Sequence, residues 1–370
     1  MLYKNKNFYK LRCFFYELAI RVTKNMFKKK NTILGLDIGT SSIKAIEMTS
    51  LDVGHYCITN YGQIAITNTE EDHLVPLQEL LQTMNPKTRQ VVTAVSGREV
   101  IVRYITMPHV DDINLPNAVR FEADKYIPYD LDEVVLASQK LEESSLAMAS
   151  STDINVLLVA TKRSLIEQRV QLLKEANLKP VIIDVDSFAL GNAFELKNIL
   201  SPRAAVEGRV VALVDIGAAK TNINIMVGNT SFFTREIYLA GNEFTEEMQK
   251  KLEIFPQEAE VLKREPGVFA LEIQEAVASV VDDLANEIIL SFDYFEGQFE
   301  KEVEEIFLSG GGSQLFCLEP DFERIFGKRI NRWDPTEHFE IDTNVVDVEN
   351  LRLHGPQLAI AIGLASRIRG

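Results

Sequence analysis

One sequence pattern occurs twice in the chain, and this repeat decides the predicted fold. The first copy reads Ile33-Leu34-Gly35-Leu36-Asp37-Ile38-Gly39-Thr40-Ser41-Ser42-Ile43-Lys44-Ala45-Ile46-Glu47-Met48. The second copy reads Val210-Val211-Ala212-Leu213-Val214-Asp215-Ile216-Gly217-Ala218-Ala219-Lys220-Thr221-Asn222-Ile223-Asn224-Ile225-Met226. In each copy an apolar strand ends in Asp-Ile-Gly, and small residues then lead into a second short strand. The repeat predicts two halves of similar design that face one ligand.

The small residues after each aspartate indicate an anion-binding turn. Glycine allows a tight turn and leaves backbone N–H groups open to an approaching phosphate. A carboxylate at the end of a strand suits Mg²⁺, which usually keeps several waters and also binds nucleotide phosphates. A lysine in or just after the turn offers a positive charge to the phosphates. One Asp-Ile-Gly alone is weak evidence, because short motifs often occur without a function.

A third glycine-rich stretch supports a nucleotide site. It reads Ile306-Phe307-Leu308-Ser309-Gly310-Gly311-Gly312-Ser313. This order predicts a short strand, a turn and then a helix with Ser313 as its N-cap. Consecutive glycines permit positive φ and close approach to the backbone. The simpler interpretation is a tight strand-to-helix turn; beside two phosphate hairpins, the stretch predicts a surface for a nucleoside.

Length and composition exclude several classes of protein. The chain has 370 residues, of which 46% are hydrophobic, enough for two domains. The net charge of −15 argues against general nucleic-acid binding. The charge is unevenly distributed, because residues 1–30 carry nine Lys or Arg and one acid. Three widely spaced cysteines fit a reducing compartment and no metal site of their own. We see no apolar run of the about 18 residues that a membrane span needs.

Residues 1–30 leave two interpretations open. Their apolar side chains follow helical spacing and their basic side chains gather on the other side, a pattern typical of an amphipathic helix on an anionic membrane surface. Alternatively, because Met26 begins a segment that itself reads as a natural start, residues 1–25 are an unused upstream start or a flexible arm.

The segment between the two copies predicts an insertion. Alternating and helical patterns within residues 98–178 indicate a compact α+β unit, with a polar, serine-rich loop at 142–152. After this unit, residues 179–185 read as a strand of the first half. A helix at 186–196 and a last helix from Pro356 are both rich in small residues, which allow two helices to approach closely.

The order of two phosphate hairpins and a glycine turn resembles the actin-like ATPases, which include actin, the heat-shock 70 chaperones, sugar kinases and FtsA. Within this superfamily the chain resembles the PilM family of type IV pilus assembly. The resemblance lies in residues 26–30 (Met-Phe-Lys-Lys-Lys), the first hairpin, and residues 120–129 (Arg-Phe-Glu-Ala-Asp-Lys-Tyr-Ile-Pro-Tyr). It implies an α/β, actin-like (ribonuclease H-like), two-lobed ATPase fold with an FtsA-type inserted subdomain.

The resemblance also implies a division of the chain. The first lobe comprises residues 31–97 and 179–204, and residues 98–178 form the inserted subdomain. The second lobe comprises residues 205–370, with about 243–300 as its small subdomain. The helix at 186–196 and the last helix become the two helices that connect the lobes.

A site for ATP and Mg²⁺ between the lobes follows from the same resemblance. Asp37 and Asp215 are expected to hold Mg²⁺ through water, and Asp215 is the candidate catalytic residue. The other predicted nucleotide contacts are Gly39, Thr40, Ser41, Ser42, Lys44, Gly217, Ala218, Lys220, Thr221, Gly241, Asn242, Glu287, Gly310, Gly311, Gly312 and Ser313. Relatives usually have Gly-Gly where this chain has Ala240-Gly241. Active relatives often carry an acid where this chain has Asn222, so ATP binding with weak or absent hydrolysis is expected.

As a partner, the resemblance implies the cytoplasmic N-terminal peptide of PilN. The expected role is a cytoplasmic scaffold, peripheral at the inner membrane in the pilus assembly platform, and compatible with self-association. The peptide groove would lie between the inserted subdomain and its neighbour. Phe121, Tyr126 and Tyr129 either pack locally or belong to that partner surface. The alternatives are an FtsA-like division filament protein, disfavoured because FtsA continues into a membrane helix beyond this point, or an actin-like small-molecule kinase.

Overall fold

A computed structural model describes residues 31–52, 55–66, 73–111, 113–141, 153–201 and 208–368. The strands are β1 (Thr32–Ile38), β2 (Ser42–Asp52), β3 (His55–Ala65), β4 (Gln90–Val95), β5 (Val100–Pro108), β6 (Val134–Lys140), β7 (Asp153–Lys162), β8 (Lys179–Val185), β9 (Val210–Ile216), β10 (Thr221–Val227), β11 (Thr230–Ile237), β12 (Glu305–Ser309), β13 (Arg329–Arg332) and β14 (Glu340–Ile341). The basic segment 1–30 and the predicted polar loop at 142–152 lie outside the described residues.

The α-helices of the described residues are interleaved with these strands. They are α1 (Leu74–Met84), α2 (Leu115–Ala123), α3 (Arg163–Glu175), α4 (Asp186–Leu200), α5 (Gly241–Leu252), α6 (Pro256–Leu262), α7 (Ala270–Phe299), α8 (Leu318–Phe326), α9 (Val348–Leu353) and α10 (Ala359–Ala365). Within the described parts of the chain, we find no helix with the length and apolar content required to cross a bilayer.

Two sheets of the same design form the two lobes. The first has the order β14-β3-β2-β1-β4-β8, and the second has the order β11-β10-β9-β12-β13. In each, three antiparallel strands form a meander, and later strands add in parallel beside the first strand. Leaving out the short β14, both sheets therefore have the third, second, first, fourth and fifth strands of their lobe in that order. The expectation of two halves of similar design is confirmed.

The segment between β4 and β8 contains a third sheet with its own core. Its order is β5-β7-β6, antiparallel throughout. Apolar side chains of this sheet pack against helix α2 in a separate cluster that includes Val119, Ile127 and Val156. Helix α3 then returns the chain to the first lobe, where Leu173 packs with Leu36.

Helices α4 and α10 cross between the lobes at very short distance. A Cβ added to Gly363 of α10 would lie 1.7 Å from the carbonyl oxygen of Ala189 in α4. On the other side, a Cβ on Gly35 of β1 would lie 2.2 Å from the carbonyl oxygen of Ala361. Helix α10 is therefore held between the first strand of lobe one and helix α4, which explains why both helices are rich in small residues.

Two local expectations need correction. Ser313 is not a helix N-cap, because it lies inside a 3-10 turn (Gly312–Gln314) and its hydroxyl donates to the carbonyl of Gly310 at 2.7 Å. The following helix, α8, begins only at Leu318. Likewise, Pro356 lies in a 3-10 turn (Gly355–Leu358) and does not open the last α-helix, which begins at Ala359. In both places a tight turn satisfies the backbone groups before the helix can start.

Candidate functional site

The first hairpin joins β1 and β2 through a short turn. The N–H of Gly39 donates to the carbonyl of Ser42 at 3.1 Å, while the side chains of Thr40 and Ser41 are exposed. Asp37 and Lys44 face each other across the hairpin, and the Lys44 ammonium donates to the Asp37 carboxylate at 2.9 Å. Both side chains are at most 15% exposed. The predicted lysine and the predicted magnesium carboxylate therefore form one ion pair at the base of the turn.

The second hairpin has the same geometry, with its aspartate more deeply buried. The N–H of Gly217 donates to the carbonyl of Lys220 at 2.9 Å. The Asp215 carboxylate accepts a hydrogen bond from the Ser309 hydroxyl at 2.8 Å. Ser309 directly precedes the three glycines, and the sequence did not predict this contact. Burial raises the pKa of Asp215 from 3.8 to about 6; Ser309 and Lys44 oppose this increase, and Asp37 adds to it. The charges of Asp37 and Lys44 act on the pKa of Asp215, so the two hairpins lie near one another.

Lys220 makes contacts that the sequence did not reveal. Its ammonium donates to Asp186, the first residue of α4, and to Glu236 of β11 at 2.9 Å. Burial alone would lower the pKa of Lys220, but the two carboxylates raise it overall. Asn222 also donates to Asp186, at 3.3 Å. The sequence does contain a pattern that could have indicated Asp186, because this acid directly follows a third apolar strand, β8.

The glycines of the second lobe pack against the second hairpin. The N–H of Gly241 donates to the carbonyl of Gly217 at 3.0 Å, and the N–H of Asn242 donates to the carbonyl of Ala218 at 2.8 Å. Gly310 has φ +85°, and a Cβ there would lie 2.3 Å from the carbonyl oxygen of Ile216. These contacts place the start of α5 and the glycine turn side by side on the second hairpin.

Other glycines and hydroxyls of the predicted set differ in what surrounds them. A Cβ on Gly312 would lie 2.5 Å from a side-chain carbon of Ile216, whereas one on the exposed Gly311 would meet nothing closer than 3.9 Å. The Thr221 hydroxyl donates to the carbonyl of Leu239 at 2.8 Å, inside the lobe. Gly311 is thus the member of the glycine run with open space in front of it.

Glu287 lies on α7, and its contacts differ from those of the hairpin residues. Its carboxylate accepts a hydrogen bond from Arg235 of β11 at 2.6 Å, and its backbone carbonyl accepts one from Ser291 at 3.0 Å. Its side chain is 39% exposed. Among the contacts of the described residues, none joins Glu287 to either hairpin, so its contact with a nucleotide stays a prediction.

Lys263 is a further residue that the sequence analysis missed. Its side chain is only 6% exposed, and its ammonium donates to the carbonyl of Gly241 at 2.8 Å and to Glu260 at 2.6 Å. It also donates to the Thr245 hydroxyl. Burial lowers the pKa of Lys263, and Glu260 opposes that change. A lysine in a polar helix gives no signal in sequence, since only the packing of α5 on α6 buries it.

Comparison with known proteins identifies the family. The sequence model of the type IV pilus assembly protein PilM matches residues 35–369. The chain belongs to this family. A solved structure described as the PilM-PilN type IV pilus biogenesis complex is similar, with a TM-score of 0.78 and 28% identity, over 90% of this chain and 98% of that one. The PilM resemblance and the part in type IV pilus assembly are confirmed.

A second solved structure supports the fold alone. The ethanolamine utilization protein EutJ from Carboxydothermus hydrogenoformans is similar, with a TM-score of 0.51 and 14% identity, over 93% of this chain and 92% of that one. The two sheets of equal strand order and the two crossing helices form an actin-like fold, as the sequence predicted.

Proposed function

We propose that the chain is an ATP-binding scaffold that binds the cytoplasmic N-terminal peptide of PilN in the type IV pilus assembly platform. The observation that carries this proposal is the meeting of two Asp-Gly hairpins at one site, in a chain of the PilM family. The similarity to the solved PilM-PilN complex supports PilN as the partner. The location we propose is the cytoplasmic side of the inner membrane, with membrane contact through the partner.

The residues at the hairpins fit a magnesium nucleotide. Exposed hydroxyls of Thr40 and Ser41 and the charge of Lys44 are donors for phosphate oxygens. The described residues contain no cluster of three or more His, Cys, Asp or Glu that could hold a metal by itself. Mg²⁺ would therefore be held by phosphate and water, with Asp37 and Asp215 as outer carboxylates. The ion would neutralise phosphate charge, and the chain would supply orientation.

The same geometry supports weak or absent hydrolysis. A general base must be free to accept a proton from water. Asp215 accepts a hydrogen bond from Ser309, and Asp186 accepts from Lys220 and Asn222. Asp186 is thus engaged by a cation and an amide, and one oxygen of Asp215 is engaged by a hydroxyl. The position that carries an acid in active relatives is an asparagine. We infer that bound ATP acts mainly to hold the lobes together.

The inserted unit offers an exposed aromatic residue for the PilN peptide. Phe121 on α2 is 77% exposed, whereas Tyr129 packs against the core of the unit and lies under the ammonium of Lys162 at 4.9 Å. Tyr129 therefore fits the local-packing interpretation of these aromatic residues, and Phe121 is available for a partner. An exposed aromatic side chain of this size is typical of a residue that anchors a partner.

Hydrogen bonds join β11 of the second lobe to the inserted unit and to the residue just before that unit. The N–H of Gly97, the last residue before the inserted unit, donates to the Glu236 carboxylate at 3.0 Å, and that carboxylate also accepts from Lys220 of the second hairpin. The Tyr104 hydroxyl of β5 meets the Ser231 hydroxyl of β11 at 3.0 Å. A nucleotide that attracts Lys220 would change the position of Glu236. This supports a coupling between ATP and peptide binding, which must be equal in both directions.

The first experiment mixes the chain with labelled Mg-ATP near equal concentration and follows bound and hydrolysed label over hours. Bound, intact ATP is expected; rapid hydrolysis would contradict a scaffold and favour an enzyme. PilN peptide affinity is then measured with and without nucleotide. Phe121→Ala is expected to weaken the peptide, while Val268→Ala in the second lobe, where the side chain is 87% exposed, should not. Equal peptide affinity with and without ATP would refute the coupling.

A further inference from the structure

Helix α3 is fixed at both ends by different hydrophobic clusters. Ile166, near its start, packs with Val159 of the inserted sheet. Leu173, near its end, packs with Leu36 of the first lobe. The middle of the helix, where Arg169 lies, is thus held between the inserted unit and the strand that ends in Asp37.

One nitrogen of the Arg169 guanidinium, Nη1, is buried without a hydrogen-bond partner among the described residues. Burial lowers the pKa of Arg169, while the carboxylates of Asp37 and Asp186 oppose this change and so lie near it. A buried guanidinium donor that stays unpaired is costly. Such a group is expected where it meets a ligand.

The neighbouring carboxylates are already paired with other cations. Asp37 accepts from Lys44 and Asp186 accepts from Lys220. Arg169 is therefore an additional positive charge near both ion pairs. A polyphosphate is the ligand that this excess of donors fits, because guanidinium N–H groups match phosphate oxygens in pairs.

The position of Arg169 indicates which part of a nucleotide it would meet. The glycine turn and its neighbour Ser309 lie at the Asp215 side of the site. The carboxylates that oppose the lowering of the pKa of Arg169 are those of Asp37 and Asp186. If the nucleoside lies at the glycine turn, Arg169 is at the opposite end, where the chain of phosphates ends.

We propose that Arg169 binds the terminal phosphate of the nucleotide and so distinguishes ATP from ADP. The contact would come from helix α3, outside both hairpins and the glycine turn. This inference rests on the proposed ATP site. The central strand of the inserted unit, β7, leads directly into α3. A phosphate bound by Arg169 would therefore contact a helix that is continuous with the inserted unit.

The competing explanation is a structural role, in which Arg169 only balances nearby carboxylates. The two roles predict opposite effects on the ligand-free chain. Removing a structural charge partner lowers stability, whereas removing an unpaired buried cation does not. Arg169→Met keeps most of the side-chain length and removes the charge. Lys174→Met removes an exposed charge from the same helix and is the matched control.

The test is isothermal titration of the full chain with Mg-ATP and with Mg-ADP, together with thermal unfolding with and without each nucleotide. For Arg169→Met we expect ATP affinity to fall about tenfold or more and ADP affinity to change less than about threefold. The ligand-free Tm should not fall, and the Tm increase caused by ATP should shrink. Arg169→Lys should recover part of the ATP affinity, and Lys174→Met should behave as wild type.

Other results would overturn the assignment. Equal loss of ATP and ADP affinity, or unchanged affinity for both, would show that Arg169 does not meet the terminal phosphate. A lower ligand-free Tm with unchanged ATP affinity would show the structural role. If the wild-type chain binds neither nucleotide, the proposed ATP site itself fails, and this result is visible before any variant is made.

Discussion

Replacing Gly310 by alanine tests whether the glycine turn is shaped by its contact with the second hairpin. Gly310 has φ +85°, a conformation that favours glycine. Its added Cβ would lie 2.3 Å from the carbonyl oxygen of Ile216, and 2.6 and 2.7 Å from the backbone carbon and nitrogen of the same residue. These atoms belong to β9, in the centre of the second sheet, so the clash cannot be relieved by a side-chain rotation.

The expected loss has two parts. A left-handed conformation costs an alanine about 1–2 kcal/mol. Displacing packed backbone in a core costs about 1–3 kcal/mol more. The sum is about 2–5 kcal/mol. For a chain of 370 residues, an unfolding entropy of about 2.1 cal/mol/K per residue gives about 1.3 °C per kcal/mol, so the Tm should decrease by about 3–6 °C.

Thermal unfolding of the ligand-free chain, followed by circular dichroism, measures this loss. The matched control is Gly311→Ala, one residue further along the chain. Gly311 has φ −64°, and its Cβ would meet nothing closer than 3.9 Å. The control should therefore melt within about 2 °C of wild type, since alanine in a compatible conformation is neutral or slightly stabilising. Equal Tm values for the two variants would refute the packing argument.

Three further predictions concern buried polar groups. Burial raises the pKa of Asp215 to about 6, so the folded chain loses stability as the pH rises from about 4 to about 6 and this carboxyl group ionises. Asp215→Asn should therefore increase the free energy of unfolding at pH 7.5 by at most about 3 kcal/mol and raise the Tm. Below about pH 4 the variant should show no gain. Lys220→Met leaves the Asp186 carboxylate buried without its cation and should cost about 3–5 kcal/mol, of which the added Asp186→Asn change should restore most. Tyr104→Phe removes the hydroxyl contact with Ser231 and should cost about 0.5–1.5 kcal/mol in thermal unfolding.

Each of these predictions has a contradicting result. An Asp215→Asn variant that is less stable than wild type at pH 7.5 would show that the carboxylate is stabilising when charged. A double variant as unstable as Lys220→Met alone would mean that Asp186 is not the source of the loss. For Tyr104→Phe the control is Tyr126→Phe, because the Tyr126 side chain is 38% exposed. Similar Tm losses in the two variants would show that the Tyr104–Ser231 hydrogen bond contributes nothing specific to stability.

The parts of the fold that were predicted correctly have a local signal. Each hairpin combines an apolar strand, an acid and a glycine within a few residues, and the sequence predicts both. The two-residue strand β14 has no such signal, because it exists only through its pairing with β3. The N-cap assigned to Ser313 was wrong because the positive φ of Gly310 directs the chain into a 3-10 turn first, and this choice depends on the contact with Ile216.

The candidate site divides in the same way. Asp37 and Lys44 are seven residues apart on one hairpin, so their ion pair follows from local register. The partners of Lys220 come from two other elements, and only the packing of α4 and β11 brings them to it. Arg169 lies on an amphipathic helix, where an arginine gives no indication of burial. Residues that act through tertiary packing are therefore the ones that the sequence analysis missed.

The sheet order has a consequence for biosynthesis. Strand β14 is the edge partner of β3 in the first sheet, and α10 packs against β1 in the crossing described above. The first lobe therefore needs residues 340–365, which are synthesised after all five strands of the second sheet. Domains usually fold as units, N-terminal ones first, during synthesis. Here the second sheet can complete its five strands before the first sheet can add β14 and before α10 can pack on β1. The nascent chain therefore presents a complete second sheet beside an incomplete first lobe until β14 and α10 have been synthesised.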